Sequence, residues 1–339
     1  MKKIFNHIIT KIIIFLLFLN LFCLWVYTQF SRSSYEALPN IIIVTLVGVR
    51  NSETIDDPLH QYIPNIWNLR CEGTLYANLE VKNCEFHMPS VQAINTGDNY
   101  DATWGILQPT FFHYVKKKYN LPQYKLWMIG HWFKFSSSLA FSSNSLDRNA
   151  PCALTALQPD EDYKNHALMR ILSIQEKDYI LKKRIGIESS VTKWPVWDSL
   201  SKIYHIITMK ILRIYKPKLI HYLLGGPECA HYGSYARYVI SVKDADEQIS
   251  ELWDFINKDP SYKDKTYLFI NVDHSRDAYY MHHNNSYEPV WLYVSGPHIK
   301  RNVKIDRPIK HSDIFATVAF LMNVKTHKTD GKVLFDCFE

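Results

Sequence analysis

The 339-residue sequence has no internal repeat, no low-complexity tract and no long block of like charges. The first two absences exclude a solenoid or a disordered linker as the main architecture. The third excludes a basic groove or tail of the kind that binds nucleic acid. Lys and Arg are scattered, the formal net charge is only +6, and the longest basic run, Lys116-Lys117-Lys118, reads as a solvated helix face. No nucleic-acid partner is expected, and the charge licenses no more than a weak attraction to anionic surfaces. The six cysteines lack the spacing of a zinc ribbon. With Cys23 inside an apolar run, Cys71, Cys84, Cys152, Cys229 and Cys337 remain, enough for one or two disulfides in an exported domain with one thiol left over.

What is present is a chain that can build a core. Its residues are 47% hydrophobic and 14% aromatic, and its length suits one large α/β domain or two small ones. The N-terminus, "MKKIFNHIITKIIIFLLFLNLFCLWVYTQFSRSSYE", carries an apolar run from Ile12 to Tyr27 broken only by Asn20. Ile8 and Ile9 extend it across Lys11, whose charge can snorkel to an interface. No small-x-small cleavage site follows, since Phe30-Ser31-Arg32-Ser33 is a poor match. The expectation is an uncleaved signal-anchor over residues 1–35, one N-terminal transmembrane helix and hence a membrane partner. Lys2, Lys3 and Lys11 would keep the N-terminus in the cytoplasm and place residues 36–339 on the other side.

From residue 36 the pattern predicts a single α/β domain. "PNIIIVTLVGV" (39–49) is a continuous β-branched run ended by glycine, as in a strand buried on both faces of a parallel sheet. "TLYANLEV", "KLWMIG", "KLIHYLLGG", "KTYLFINVDHS" and "VWLYVSGP" read as further strands. Between them lie helical segments: "MPSVQAINTG", with Pro89 in its first turn and Gly97 at its end, "TFFHYVKKKYN", and "KIYHIITMKILRIYKP". A long amphipathic helix follows, with Tyr235, Val239, Val242, Ile249, Leu252 and Ile256 on one stripe. The final helix, "HSDIFATVAFLMNV", is expected to be capped by Ser312 or Asp313. Residues 132–200 are less periodic and read as an insertion or cap over the sheet edge. The alternation predicts a mostly parallel central sheet with helices on both faces.

Ligands of such sheets sit beyond the carboxyl ends of the strands. The candidates there are Val47-Gly48, the stretch from Gly225 to His231, and Asp273-His274. The helix start at His87 to Ser90 offers backbone N–H groups to an anion. His231, Asp273, His274 and either His282 or His283 form a His-and-carboxylate set that suits zinc better than calcium or magnesium.

Several of these segments, in order, resemble the alkaline phosphatase superfamily, in particular its sulfatase and phosphodiesterase-like branch. They are "NIIIVTLVGVR", "YIPNIWNLRCEGTLYANL", "HMPSVQAINTG", "LLGGPECAHYGSYARYVISVKDADEQISELWDFI", "KTYLFINVDHSRD" and "EPVWLYVSGPHIK". The resemblance implies an alkaline-phosphatase-like fold and hydrolysis or transfer of phosphate or sulfate esters at one or two metals. One metal site of the family uses Asp, His and His, and the other uses Asp, the nucleophile, Asp and His. Carried over, His231, Asp273, His274 and His282 or His283 fall on ligand positions. The first-strand Asp is Val47, the nucleophile is His87, and the Asp four residues before His231 is Pro227, with Glu228 beside it. Two carboxylates and a hydroxyl or thiol are therefore replaced together. The implied function is a membrane-anchored pseudoenzyme with an affinity for small anionic esters, binding at most one Zn2+. The alternative is an active one-metal hydrolase in which His87 is a fourth ligand or the nucleophile.

Overall fold

The computed structural model describes residues 14–15, 17–22, 35–81, 87–98, 108–130, 154–155, 196–228, 234–277 and 288–339. A nine-stranded sheet organises them. Its strands are β1 (Asn40–Leu46), β2 (Gly73–Glu80), β3 (Leu126–Ile129), β4 (Leu154–Thr155), β5 (Leu219–Leu224), β6 (Thr266–Val272), β7 (Val290–Ser295), β8 (Val303–Ile305) and β9 (Ile309–Lys310). The spatial order is β4-β3-β5-β1-β6-β7-β2-β8, with β9 also on β2. Every residue of β1, β5, β6 and β7 is buried, as their unbroken apolar runs require of strands covered on both sides. β7 runs antiparallel to both β6 and β2, while the remaining pairs are parallel. The sheet is thus mixed, and mostly parallel.

The helices are α1 (Pro64–Leu69), α2 (His87–Thr96), α3 (Phe111–Tyr119), α4 (Val196–Tyr215), α5 (Tyr235–Lys258) and α6 (His311–Leu321). Two neighbouring residues of β5 show how they divide. His221 meets Asn95 of α2 and the ring of Phe111 of α3, which stacks on Phe315 of α6. Tyr222, pointing to the opposite face as strand alternation dictates, meets His205 of α4 and Gln248 of α5. Helices therefore cover both faces. Gly97, at φ +81°, ends α2 in the left-handed conformation that glycine adopts without strain, and its N–H reaches the Ala93 carbonyl at 2.8 Å.

Three expectations change in detail. The buried stripe of α5 starts at Tyr238, not Tyr235, which is 40% exposed. The Tyr238 hydroxyl accepts from the Arg50 N–H at 2.9 Å and donates to Glu53 at 3.4 Å, so this ring brings its polar tip into the interior with partners in place. Neither Ser312 nor Asp313 is the N-cap of α6, because the helix begins at His311 with Lys310 as its cap. Asp313 acts from the third helical position instead, accepting from the Lys310 N–H at 2.9 Å and the Lys332 N–H at 2.7 Å. Cys71 and Cys337 are free thiols, and Cys84, Cys152 and Cys229 lie outside the described residues.

Most of the expected 132–200 insertion also lies outside the described residues, apart from β4 and the first turn of α4. Of the expected transmembrane segment, residues 14–15 and 17–22 are helical and exposed. Among the described residues no helix is long and apolar enough to cross a membrane.

Candidate metal centre at the carboxyl ends of the central strands

β5, β1 and β6 are adjacent, so the residues that follow them meet at one end of the sheet. After β1 the chain turns at Gly48, whose φ of +65° favours glycine. After β5 it turns through Gly225 to Glu228, and β6 runs directly into Asp273-His274. α2 begins at His87 in the same place. Asp273, His274 and His87 are buried, at 0%, 0% and 8% exposure.

The contacts select one atom of each side chain. Asp273 Oδ1 accepts from the Gly48 N–H and from the His274 N–H, each at 2.8 Å, leaving Oδ2 for other partners. His274 Nδ1 lies 2.6 Å from the Ser275 carbonyl, which can only accept, so Nδ1 carries the hydrogen and Nε2 presents its lone pair. His87 Nε2 lies 2.7 Å from Glu228 Oε1 and donates to that carboxylate, leaving Nδ1. The three atoms so selected face one another. His87 Nδ1 is 2.7 Å from Asp273 Oδ2 and 2.7 Å from His274 Nε2, and the last two are 3.6 Å apart.

Three lone pairs cannot point at one another without a positive centre among them. A proton on His87 Nδ1 is one solution, and a metal cation is the other. Burial alone would lower the pKa of His87, but the charges of Glu228 and Asp273 and their hydrogen bonds outweigh it and raise it to about 9. Burial and the charge on His87 hold His274 down to about 4, against the pull of Asp273. Burial pushes Asp273 up, yet the neighbouring imidazoles and the Gly48 N–H bring it down to about 2. A cation among the same three atoms would meet the same outer partners on their far sides, with the atoms spreading from their 2.7 Å separations to reach metal–ligand distances. Those partners, the Glu228 carboxylate, the Ser275 carbonyl and the Gly48 amide, are of the kind that orient metal ligands. His87, Asp273 and His274 are the group of potential ligand atoms found together among the described residues.

The structure brings together two of the residues expected as ligands, Asp273 and His274, with the residue at the nucleophile position, His87. His231, His282 and His283 lie outside the described residues. Val47 is fully buried, contributing only backbone and packing there. Pro227 supplies a carbonyl, to Arg276 at 3.3 Å. Glu228 does not stand in for the missing Asp as a ligand, since one oxygen is taken by His87 and the other by the guanidinium of Arg276. Sequence reasoning passed over Arg276. Its signal was a charged residue three positions past the strand-ending Asp273, where the chain is still buried.

The fold is alkaline-phosphatase-like. A family model described as the Metalloenzyme superfamily matches residues 175–326, a span containing Glu228, Asp273, His274 and Arg276. Among solved structures, the chain is similar to the phosphonate monoester hydrolase of Agrobacterium radiobacter (14% identity, 89% of this chain and 77% of that one, TM-score 0.58). It is also similar to the lipoteichoic acid synthase LtaP from Listeria monocytogenes (12% identity, 86% and 73%, TM-score 0.55). A third is murine ectonucleotide pyrophosphatase/phosphodiesterase 5 (8% identity, 88% and 100%, TM-score 0.54). At these identities the likeness establishes the fold. No curated protein matches the chain in sequence.

Proposed function

We propose that this chain is a metal-binding domain of the alkaline-phosphatase fold in which the nucleophile position has become a ligand position. His87, Asp273 and His274 hold one divalent transition ion, zinc by preference, and the family's covalent ester-transfer route is not used. The observation that carries this reading is the convergence of His87 Nδ1, Asp273 Oδ2 and His274 Nε2, each with its other polar atom already tied. Two imidazoles and one carboxylate suit zinc, whose ligands stand about 2.0–2.2 Å away, better than oxygen-seeking calcium or magnesium. A bound divalent ion supplies Lewis acidity toward an ester oxygen.

The residues of the chain do the positioning. Glu228 keeps the His87 ring turned so that Nδ1 faces inward, and the Ser275 carbonyl does the same for His274 Nε2. His87 is then occupied on both nitrogens and is not available as a phosphoryl or sulfuryl acceptor. The domain is accordingly a pseudoenzyme that binds small phosphate- or sulfate-bearing anions beside its ion. The apolar N-terminal segment carries it on the outer side of a membrane.

A second reading is favoured by the same ligand set. Three protein ligands leave coordination positions open, which is the arrangement of catalytic rather than structural zinc. In that reading the domain hydrolyses its esters with water and no side-chain nucleophile.

The test uses the full chain, purified in detergent without a histidine tag. Elemental analysis is expected to give about one zinc per chain, lost in Asp273→Ala. A stoichiometry near zero overturns the metal reading in favour of the proton. Assays with p-nitrophenyl phosphate, bis-p-nitrophenyl phosphate and p-nitrocatechol sulfate separate the two readings. Turnover that disappears in Asp273→Ala establishes the hydrolase and refutes the pseudoenzyme.

A further inference from the structure

Arg276 follows Asp273-His274-Ser275 at the end of β6, and its side chain is completely buried. A buried charge survives only where its surroundings answer it. Here oxygens from two chain segments surround the guanidinium. Nε donates to the Gly48 carbonyl, and Nη2 donates to the Pro227 carbonyl and to the Glu228 carboxylate. The ring of Tyr238 lies 6.0 Å from the guanidinium carbon, within reach of a cation–π contact. Two carbonyls and a carboxylate drawn from separate strand ends are the kind of donor set that holds an oxygen-seeking metal ion.

The room for this group is made by Gly48. A Cβ there would stand 2.5 Å from Arg276 Nη2. Nη1, by contrast, is buried without a partner among the described residues, so the surroundings match the charge of the group better than its full fork of donors.

We propose that Arg276 is a resident cation, filling an oxygen-lined position that would otherwise take a second exchangeable ion, and that it thereby limits the cleft to one metal. It is a positioning residue, acting through Glu228 on His87. The charge count supports this. Among the described residues the cleft holds two carboxylates, Asp273 and Glu228, and the guanidinium offsets the second. One carboxylate remains for an ion at His87, Asp273 and His274, and a further divalent ion would face that ion with no carboxylate between them. The oxygens bound by Arg276 come from Pro227, from its neighbour Glu228 and from the neighbour of Val47. Pro227 and Val47 are the two positions where the resemblance expects metal-binding carboxylates and finds none.

The inference rests on the one-metal reading for the count of ions, so its main test is run on metal-free protein. The full chain and its Arg276→Ala variant are treated with chelator and melted with and without low-millimolar guanidinium chloride, against sodium chloride at equal ionic strength. The variant is expected to melt lower than the parent and to regain roughly 2–4 °C with guanidinium only, while the parent does not respond. On reloading with zinc together with calcium or magnesium, Arg276→Ala is expected to bind one oxygen-seeking divalent ion in addition to the zinc, where the parent and Arg276→Lys bind the zinc alone. Either gain supports the resident cation. A folded Arg276→Ala variant with neither overturns it. If Arg276→Ala does not fold, the double variant Arg276→Ala, Glu228→Gln decides. Recovery of folding shows that the charge was what mattered, and continued failure shows that the shape of Arg276 was, which refutes the proposal. Loss of zinc without loss of the guanidinium response would sink the one-metal reading alone.

Discussion

Two buried polar clusters, each built around histidine, lie one above the other on the same face of the sheet, and they differ in charge and in how their donors and acceptors match. The deeper one joins Thr45, His221, Asn271 and Asn95, all fully buried. Thr45 and Asn271 precede Val47 and Asp273 by two residues, the spacing that keeps strand residues on one face. In this layer donors and acceptors match. His221 Nε2–H donates to Thr45 Oγ1 at 2.8 Å, Thr45 donates to Asn271 Oδ1 at 3.1 Å, and Asn95 Nδ2 donates to His221 Nδ1 at 2.9 Å. Asn271 Nδ2 donates onward to the Val44 carbonyl. The upper layer brings three atoms that can accept, Asp273 Oδ2, His274 Nε2 and His87 Nδ1, to one point, an arrangement that needs a proton or a metal ion among them. Burial of a histidine therefore says little by itself. A closed set of bonds marks a core residue, and an excess of acceptors marks a place for a cation.

The largest expected effect follows from removing the charge of the upper layer. Asp273→Ala leaves the Gly48 and His274 N–H groups without their acceptor and His87 with one carboxylate instead of two. The loss of a buried charge partner of this kind costs about 3–5 kcal/mol. Chemical unfolding should show a loss in that range, together with loss of any zinc-dependent rise in Tm. His221→Asn, in the closed layer, should be destabilised by about 1–3 kcal/mol and keep its response to zinc. Equal zinc responses in the two variants would erase the distinction between the layers.

Much of the frame was legible in the sequence because its strands are buried on both faces. Runs such as "NIIIVTL" and "TYLFINV" admit no alternation, and each ends where a polar or glycine residue must take over. Asp273 and His274 were legible for the same reason, being polar groups at the end of an apolar run. The orientation of β7 was not legible, since an antiparallel strand with both faces covered has the same composition as a parallel one. The role of Glu228 was not legible because its partner Arg276 lies 48 positions away, and a contact of that range leaves no local pattern. His221 was hidden inside "KLIHYLL", where one polar residue in an apolar run looks like an exception and not a network. Tyr238 was overlooked because helical periodicity fixes a stripe only to within one position, and hydroxyl partners decide the rest.

pH separates His87 from His221 by sign. In the metal-free protein His87 titrates at about 9, raised from its ordinary 6.5 against the opposing effect of burial by Glu228 and Asp273. Its contribution is present in full below pH 6.5 and is lost as pH rises through 9. His221 is lowered to about 3 by burial, with no charge to compensate. Its contribution is present above pH 6.5 and is lost as pH falls toward 3. Stability against pH should therefore lose on the order of 3 kcal/mol on the alkaline side through His87. His87→Asn should flatten the alkaline limb, and His221→Asn should leave that limb in place and reduce the acid limb, the rest of which comes from His274 and Asp273. An alkaline limb that persists in His87→Asn would mean that the excess acceptor is not answered by a proton on this ring.

The smallest effect tests whether the layers are independent. Thr45→Val keeps the shape of the side chain and removes its hydroxyl. His221 Nε2–H then has no acceptor and Asn271 Oδ1 loses its donor, in a site with no exposure to water. One unsatisfied buried donor costs about 1–3 kcal/mol, and valine suits a strand better than threonine in a fully apolar setting, so the lower part of that range is expected from denaturant midpoints. The zinc affinity of the upper layer should change by less than about threefold, because the ligand-orienting contacts come from Gly48, Glu228 and Ser275 and none passes through Thr45. A tenfold fall in zinc affinity would show that the lower network sets the position of β1 and β6 finely enough to tune the cation site. The two layers would then be one functional unit, and the closed layer could no longer be read as core alone.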